Sequence, residues 1–487
     1  MQISINANRC EPSPMRKFHP LAVAAEQRGK KIYHLNIGQP DIATPTAYYD
    51  AIRAFDHKTL AYDASPGNPK LIEAIRGYYK RLGVELEPRD VLVTTGGSEA
   101  LLLTCLSILD PYTEVIIPEP YYPNYTTFVH AAGGVIRALP TNPWEGYRYA
   151  KRERIESLIT KNTRAILITN PGNPTGVVLD QEEMRMIADI AKEHDLFLIC
   201  DEVYREFCYD DKFGVPTMAR FDDIDDNLVI IDSVSKRFSA CGARVGCVVT
   251  KNLELQNAIL KFCQSRLSVA TIDQIGAAAL YTVDPEFFRQ SKAEYRIRRD
   301  TVISRLRQIP GVVVEEPMGA FYLMASLPVD DADRFQHWLL ECFDDKGDTV
   351  MFAPGAPFYE TPGKGTNEVR IAYVLKKPDL ERAMEVLAKG IAEYQRTGMA
   401  IPKIFRERNY GHPLSRYRHS GLRQAAQGAV YRRAWGPAGP GAPGPGRPRG
   451  RCADGPPAGP GGQRPDGAGE KRRKRLRALP ADPGGSL

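Results

Sequence analysis

In SVSKRFSACGARVG, residues 233–246, one lysine stands among small residues with an arginine eight positions on. Lysine is the side chain that condenses with an aldehyde to a Schiff base, and it becomes a usable nucleophile where its surroundings favour the neutral amine. Arg244 presents a planar fork that suits a phosphate, and Gly242 and Gly246 let the backbone come close. A lysine at a strand end is also an ordinary surface residue; Lys236 differs in following the apolar run LVII and in having Ser233 and Ser235 beside it. In CDEVY an apolar run ends in Asp201, with Tyr204 three residues on, and such a carboxylate takes either a cationic partner or a helix N-cap role. Gly96, Gly97 and Ser98 open an apolar helical stretch after DVLVTT. A glycine turn there offers free N–H groups to an anion, although turn geometry alone uses the same residues. In NPGNPTG (170–176) two prolines stiffen the chain around Asn170 and Asn173, which suits amides aimed at a ligand or a structural turn. The chemistry these groups could share is that of an aldehyde carrying a phosphate and a ring nitrogen that needs an acid partner.

All of these residues follow short apolar runs. DVLVTTGG (90–97), EVIIPEP (114–120), RAILITNPGNPTG (164–176), LFLICDEVY (196–204), NLVIIDSVSK (227–236) and RVGCVVT (244–250) read as buried strands, and SEALLLTCLSIL and QEEMRMIADIAKEH between them as helices. The spacing predicts an α/β fold with a mostly parallel sheet covered on both faces and ligand chemistry at the carboxyl ends of the strands. From about Pro285 the pattern changes to a long charged helix, EFFRQSKAEYRIRRDTVISRLRQ, followed by GVVVEE, GAFYLMASL, TVMFAPG and EVRIAYVL among further helices, which predicts a smaller α+β domain. The N-terminal 40 or so residues carry no sheet-building pattern of their own. The expected division is an N-terminal segment 1–45 packing on the small domain, a large domain 46–284 and a small domain 285–400, the two domains enclosing a cleft.

Composition sets the frame. A chain of 487 residues is too long for one ordinary core, and 43% hydrophobic with 25% charged residues fits a globular enzyme. No window approaches the roughly 18 consecutive apolar residues of a membrane helix. The N-terminus lacks a secretory pattern, and the nine cysteines show no CxxC pair, so reduced thiols and a cytoplasmic setting are expected, with no residue assigned to a metal. The basic balance belongs to the tail: residues 411–487 hold 15 Lys and Arg against 4 Asp and Glu, and the first 410 residues hold 50 against 55. Between Gly436 and Glu470, 21 of 35 residues are Gly or Pro, and KRRKRLR follows at 471–477. Residues 404–487 are expected to be a disordered basic tail. The charge run reads first as solvated, with non-specific nucleic-acid binding as the alternative, and the abrupt turn to Arg, Gly, Pro and Ala would also suit a frameshifted or appended reading frame.

An aldehyde, phosphate and ring nitrogen together describe pyridoxal 5'-phosphate. The set NIGQPD (36–41), YDASPGNPKLIEAI (62–75), TGGSEAL (95–101), PYYPNY (120–125), NPGNPTG, DEVY, SVSKRFSACGARVG, GAFY (319–322) and VRIAY (369–373), in order from roughly residue 15 to 397, resembles the class I/II aminotransferases, the aspartate aminotransferase type of fold-type I pyridoxal phosphate enzymes. The resemblance implies a seven-stranded, mostly parallel sheet and a homodimer with shared active sites. It implies that Lys236 holds the cofactor as an aldimine and, once freed, moves the proton from the substrate Cα. Asp201 would pair with the ring nitrogen, Asn173 and Tyr204 with the ring oxygen, and Tyr122 would stack on the ring. Gly97, Ser98, Ser233 and Arg244 would hold the phosphate, with Tyr62 reaching it from the neighbouring subunit. Arg370 would take the substrate carboxylate, with Gly38 and Asn173 at the substrate edge. Ala243 departs from the pattern, because a large aromatic often sits beside the arginine. The implied reaction is ping-pong transamination from an L-amino acid, aspartate or another donor, to a 2-oxo acid, 2-oxoglutarate first. Lyases, decarboxylases and racemases share such a site and stand as the alternative; a non-enzymatic regulator is a third reading, against which the intact Lys236, Asp201 and Arg370 argue.

Overall fold

The alternation of side chains along buried strands decides how the larger sheet is covered. In the computed structural model, which describes residues 1–10 and 12–397, strand β1 (Lys31–His34) stands apart from a seven-stranded sheet. That sheet is built from β2 (Val91–Thr94), β3 (Glu114–Pro118), β4 (Val135–Leu139), β5 (Thr163–Thr169), β6 (Phe197–Asp201), β7 (Leu228–Ser233) and β8 (Gly246–Val249), in the order β2-β8-β7-β6-β5-β3-β4. Every neighbour pair is parallel except those of β8, which runs against both β2 and β7. The strands are apolar at nearly every position because both faces are buried. Val91, Val93, Ile166, Ile168, Leu198 and Cys200 face one core, shared with helices Pro69–Arg81 and Gln181–Glu193. Their neighbours Leu92, Ala165, Leu167 and Ile199 face the other, shared with helices Gly96–Ile108 and Leu253–Arg266. Since β2, β5, β6 and β7 run the same way, their carboxyl ends deliver Gly96, Asn170, Asp201 and Ser233 to one edge. The sequence reading covers six of these strands and leaves out β4, whose VIRAL carries only a short apolar alternation at the sheet's edge.

The remaining strands are β9 (Val313–Val314), β10 (Tyr322–Ser326), β11 (Asp348–Met351), β12 (Ala353–Pro354) and β13 (Glu368–Ala372). Four of them form an antiparallel sheet in the order β12-β13-β10-β9, with Met324 opposite Arg370. Helices Glu286–Leu306 and Lys377–Arg396 supply Val302, Leu306, Leu380 and Leu387 to its core. Val203, Tyr204 and Phe207, just past β6, enter this second core too, so the loop carrying Tyr204 is anchored away from the larger sheet.

One expectation needs correction. The N-terminal segment, read as lacking any strand, contains β1, which pairs in parallel with β11 from Lys31 opposite Asp348 to His34 opposite Met351. KIYH has two adjacent apolar residues and no alternation, and its partner lies roughly 300 residues downstream, so no local pattern reveals it. Phe18, Ala22, Ala25 and Ile32 pack with Leu340 and Met351 beside this pair. Among the described residues no helix is long and apolar enough to cross a membrane. The tail expected at 404–487 lies outside the described residues.

Candidate active site

The anion-binding corner is built from two strand ends. Helix Gly96–Ile108 follows β2 directly, and Glu99 Oε2 accepts the Thr95 N–H at 2.6 Å, closing its first turn. Gly96 has φ +72°, a conformation that favours glycine, and a Cβ there would stand 2.7 Å from Arg244 Nη2 and displace the guanidinium. Gly246 is needed for packing alone: a Cβ would stand 2.7 Å from the Asp232 carbonyl oxygen and 2.8 Å from the Gly97 nitrogen. Arg244 is exposed, has φ +50° and donates from Nη1 to the Cys241 carbonyl at 3.1 Å. The half-buried Gly97 and the exposed Ser98 lie in the first turn of the helix, where N–H groups have no carbonyl of a preceding turn to bond. Ser233 is turned inward: its Oγ accepts the Ser235 N–H at 3.1 Å and lies 2.9 Å from the Val245 carbonyl, capping the short helix Val234–Arg237.

Lys236 sits on that short helix. Its Nζ donates to the Gly38 carbonyl at 2.9 Å and lies 3.9 Å from Cys241 Sγ. Asp201 ends β6, 6% exposed, with Oδ2 accepting from the Tyr125 hydroxyl at 2.6 Å and Oδ1 from the Val203 N–H at 3.3 Å. Burial pushes its carboxyl pKa up to about 6; the two hydrogen bonds and the Lys236 charge pull the other way, and the Asp232 charge adds to the rise. The Tyr122 ring meets Tyr125 edge-on at 5.5 Å, and its hydroxyl accepts from Asn124 Nδ2 at 2.8 Å. Burial, with Tyr322 adding, pushes the Tyr122 phenol up to about 12.

Arg370, 3% exposed on β13, donates to Asn173 Oδ1 at 3.2 Å and to the Asn36 carbonyl at 2.6 Å. Its guanidinium lies 4.5 Å from the Tyr322 ring centre and 5.1 Å from that of Phe358. Asn170 and Asn173 part company here, since Asn170 Oδ1 accepts the Leu179 N–H at 3.1 Å and serves the turn. The Tyr204 hydroxyl lies 3.1 Å from that of Tyr322, which lies 3.3 Å from the Gly38 carbonyl. Lys236, Tyr204, Tyr322, Gly38, Asn173 and Arg370 thus form one connected group. Tyr62 is 80% exposed and makes no hydrogen bond or ring contact among the described residues.

Behind the site lies a set of charges that the sequence did not announce. Glu202, Asp232 and Arg237 directly adjoin Asp201, Ser233 and Lys236 in sequence, and their side chains turn away into the protein. Arg205 Nη2 lies 2.9 Å from Glu202 and 3.4 Å from Asp232, and donates to the Tyr79 hydroxyl at 2.7 Å. Arg237 pairs with Asp232 and lies 4.3 Å from the Tyr78 ring centre. All four charged side chains are buried, and two acids balance two bases. Burial drives the Asp232 carboxyl upward, but Arg205 and Arg237 outweigh it and hold the group below the usual carboxylate range. Tyr125 and Tyr322 also escaped the sequence reading, because in PYYPNY and GAFY several aromatics compete for one role.

The profile of the family "Aminotransferase class I and II" matches residues 30–387. The aspartate aminotransferase of Pyrococcus horikoshii is 33% identical over 366 residues, covering 74% of this chain and 90% of that protein. That of Bacillus subtilis is 30% identical over 406 residues, covering 81% of this chain and 100% of that protein. Among solved structures, Thermus thermophilus aspartate aminotransferase with maleate superposes with a TM-score of 0.73 at 29% identity, covering 80% of this chain and 100% of that one. Alanine aminotransferase from Pyrococcus furiosus gives the same TM-score, identity and coverage. The seven-stranded mixed sheet and the smaller sheet are those of the aspartate aminotransferase structures. The chain belongs to the class I and II aminotransferases.

Proposed function

We propose that this chain transfers the amino group of an L-amino acid, aspartate or another donor, to a 2-oxo acid, 2-oxoglutarate first, the two substrates alternating at one site that holds pyridoxal phosphate. Class I and II aminotransferases use that cofactor. The donor set fits it: an amine for the aldehyde, a buried carboxyl for the ring nitrogen, and a guanidinium with a helix N-terminus for the phosphate. The missing Cβ of Gly96 keeps the Arg244 fork clear. The observation that carries the reading is the link from Arg370 through the Tyr322 ring and Gly38 to Lys236, which sets a carboxylate-binding fork and a reactive amine on one frame of ring and hydrogen-bond contacts.

Bound pyridoxal phosphate supplies an electron-accepting ring that makes the Cα proton of an amino acid labile. Arg370, with Asn173, binds the α-carboxylate and fixes Cα. Lys236 Nζ takes the Cα proton. Asp201 holds a proton at the ring nitrogen, and its buried, hydrogen-bonded carboxyl is fixed in direction by Tyr125. The first turn of helix Gly96–Ile108 and Arg244 hold the phosphate, with Tyr122 against the ring. A homodimer in which Tyr62 of the partner subunit completes the phosphate site is part of the same proposal, supported by the exposure of this aromatic side chain. So is a boundary near residue 285, supported by the separate cores under the two larger sheets and by the pairing of β1 with β11.

The test is uptake of pyridoxal phosphate by the purified chain, followed as a visible absorption band, then addition of L-aspartate, L-alanine or an aromatic amino acid without any oxo acid. Loss of the band with one of these donors and its return with 2-oxoglutarate is the expected result, with borohydride fixing the cofactor to Lys236. A band that no amino acid discharges would overturn transamination, and a label on another lysine would overturn the site.

A further inference from the structure

The hydroxyls of Tyr204 and Tyr322 are buried, at 3% and 2% exposure, and lie 3.1 Å apart. Tyr322 Oη also lies 3.3 Å from the Gly38 carbonyl, the acceptor that holds Lys236 Nζ at 2.9 Å. A carbonyl only accepts and a phenol carries one proton, so the contact between the two hydroxyls runs either way, and when Tyr322 donates to Gly38 the Tyr204 proton goes to Tyr322. In that arrangement the chain runs from Tyr204 through Tyr322 to Gly38. It is tightly built: a Cβ on Gly38 would stand 1.6 Å from Tyr322 Oη.

This direction has a cost for any ligand that needs the Tyr204 proton. The inference rests on the function proposed above, with Tyr204 in the role that the family resemblance gives it, as a donor to the ring oxygen of the cofactor. One phenol carries one proton, so the two acceptors compete. We propose that Tyr322 is a positioning residue that competes with pyridoxal phosphate for the Tyr204 proton and thereby holds cofactor affinity below what the site could reach. The Tyr322 ring is packed against the Arg370 guanidinium at 4.5 Å, so the same side chain joins the carboxylate fork to the proton chain. Substrate arriving at Arg370 and the proton on Tyr204 are coupled through one ring.

The experiment is a titration of cofactor-free protein with pyridoxal phosphate at fixed pH, read by absorbance, for wild type, Tyr322→Phe, Tyr204→Phe and the double variant. Tyr322→Phe keeps the ring and removes the competing acceptor; it should bind the cofactor about 2- to 10-fold more tightly, the range of one hydrogen bond. In the Tyr204→Phe background the same change should do nothing. A purely structural role for Tyr322 gives weaker binding. Unchanged or weaker binding in Tyr322→Phe, or an equal gain with and without Tyr204, overturns the proposal. Tyr322→Leu also removes the hydroxyl and should tighten binding in the same Tyr204-dependent way, which keeps the test open if the phenylalanine variant does not fold. A wild-type chain that takes up no pyridoxal phosphate overturns the function proposed above and this inference with it.

Discussion

At Asp201 stability and catalysis pull apart. Its carboxyl pKa is raised from 3.8 to about 6, so between those values the folded chain binds more protons than the unfolded one. The stability it contributes is therefore greatest below about pH 4, falls as pH rises, and reaches its full deficit above about pH 6. Asp201→Asn removes that deficit: the cofactor-free protein should gain roughly 1–3 kcal/mol at pH 8 by urea unfolding, with the gain vanishing near pH 4. The same change should lower turnover by about 10²- to 10³-fold, because a neutral amide cannot hold the ring nitrogen protonated. Arg370→Lys replaces a two-pronged donor with a point charge, and should raise KM for the amino donor by about 10- to 100-fold with a smaller change in kcat. Lys236 and Asp201 were legible because charged side chains following apolar runs are costly without a purpose, and Arg370, inside EVRIAYVL, was legible only through the family resemblance. Tyr125 and Tyr322 were not, since a tyrosine in an aromatic cluster satisfies core packing equally well.

Among the elements, strands with unbroken apolar runs were legible and strands defined by distant partners were not. The apolar pattern of RVGCVVT announces β8 but carries no direction, so its antiparallel insertion between β2 and β7 appears only in the structure. That insertion places Gly246 against the Gly96–Gly97 turn. Gly246→Ala pushes a methyl into backbone on two sides, where no rotamer change relieves it. The expected loss is about 2–3 kcal/mol in urea unfolding, with weaker cofactor uptake than a surface Gly→Ala control such as Gly77→Ala, whose added Cβ meets nothing within 4 Å. The neutral cluster of Glu202, Arg205, Asp232 and Arg237 likewise belongs to this scale. It ties β6, β7 and the Lys236 helix together, and was hidden because its members alternate along the chain with the site residues.

For the whole molecule, the matched family region ends at residue 387, and the chain covers 90–100% of the relatives named above with 74–81% of its own length. A chain ended at residue 410 should therefore keep its transaminase activity and its unfolding temperature. Its charge balance, 50 Lys and Arg against 55 Asp and Glu, reverses the sign of the full chain's +6, so at pH 7 it should bind an anion exchanger where the full chain binds a cation exchanger. Loss of activity on this truncation would give the tail a role that its composition does not suggest. The β1–β11 pair has a consequence in time. Lys31 meets Asp348, so the first strand leaves the ribosome with its partner still roughly 300 residues from being made, a wait of about 15–60 s at ordinary synthesis rates. During that interval Ile32 and Tyr33 have no strand to pair with, while the larger sheet, whose last strand ends at Val249, already has all its members.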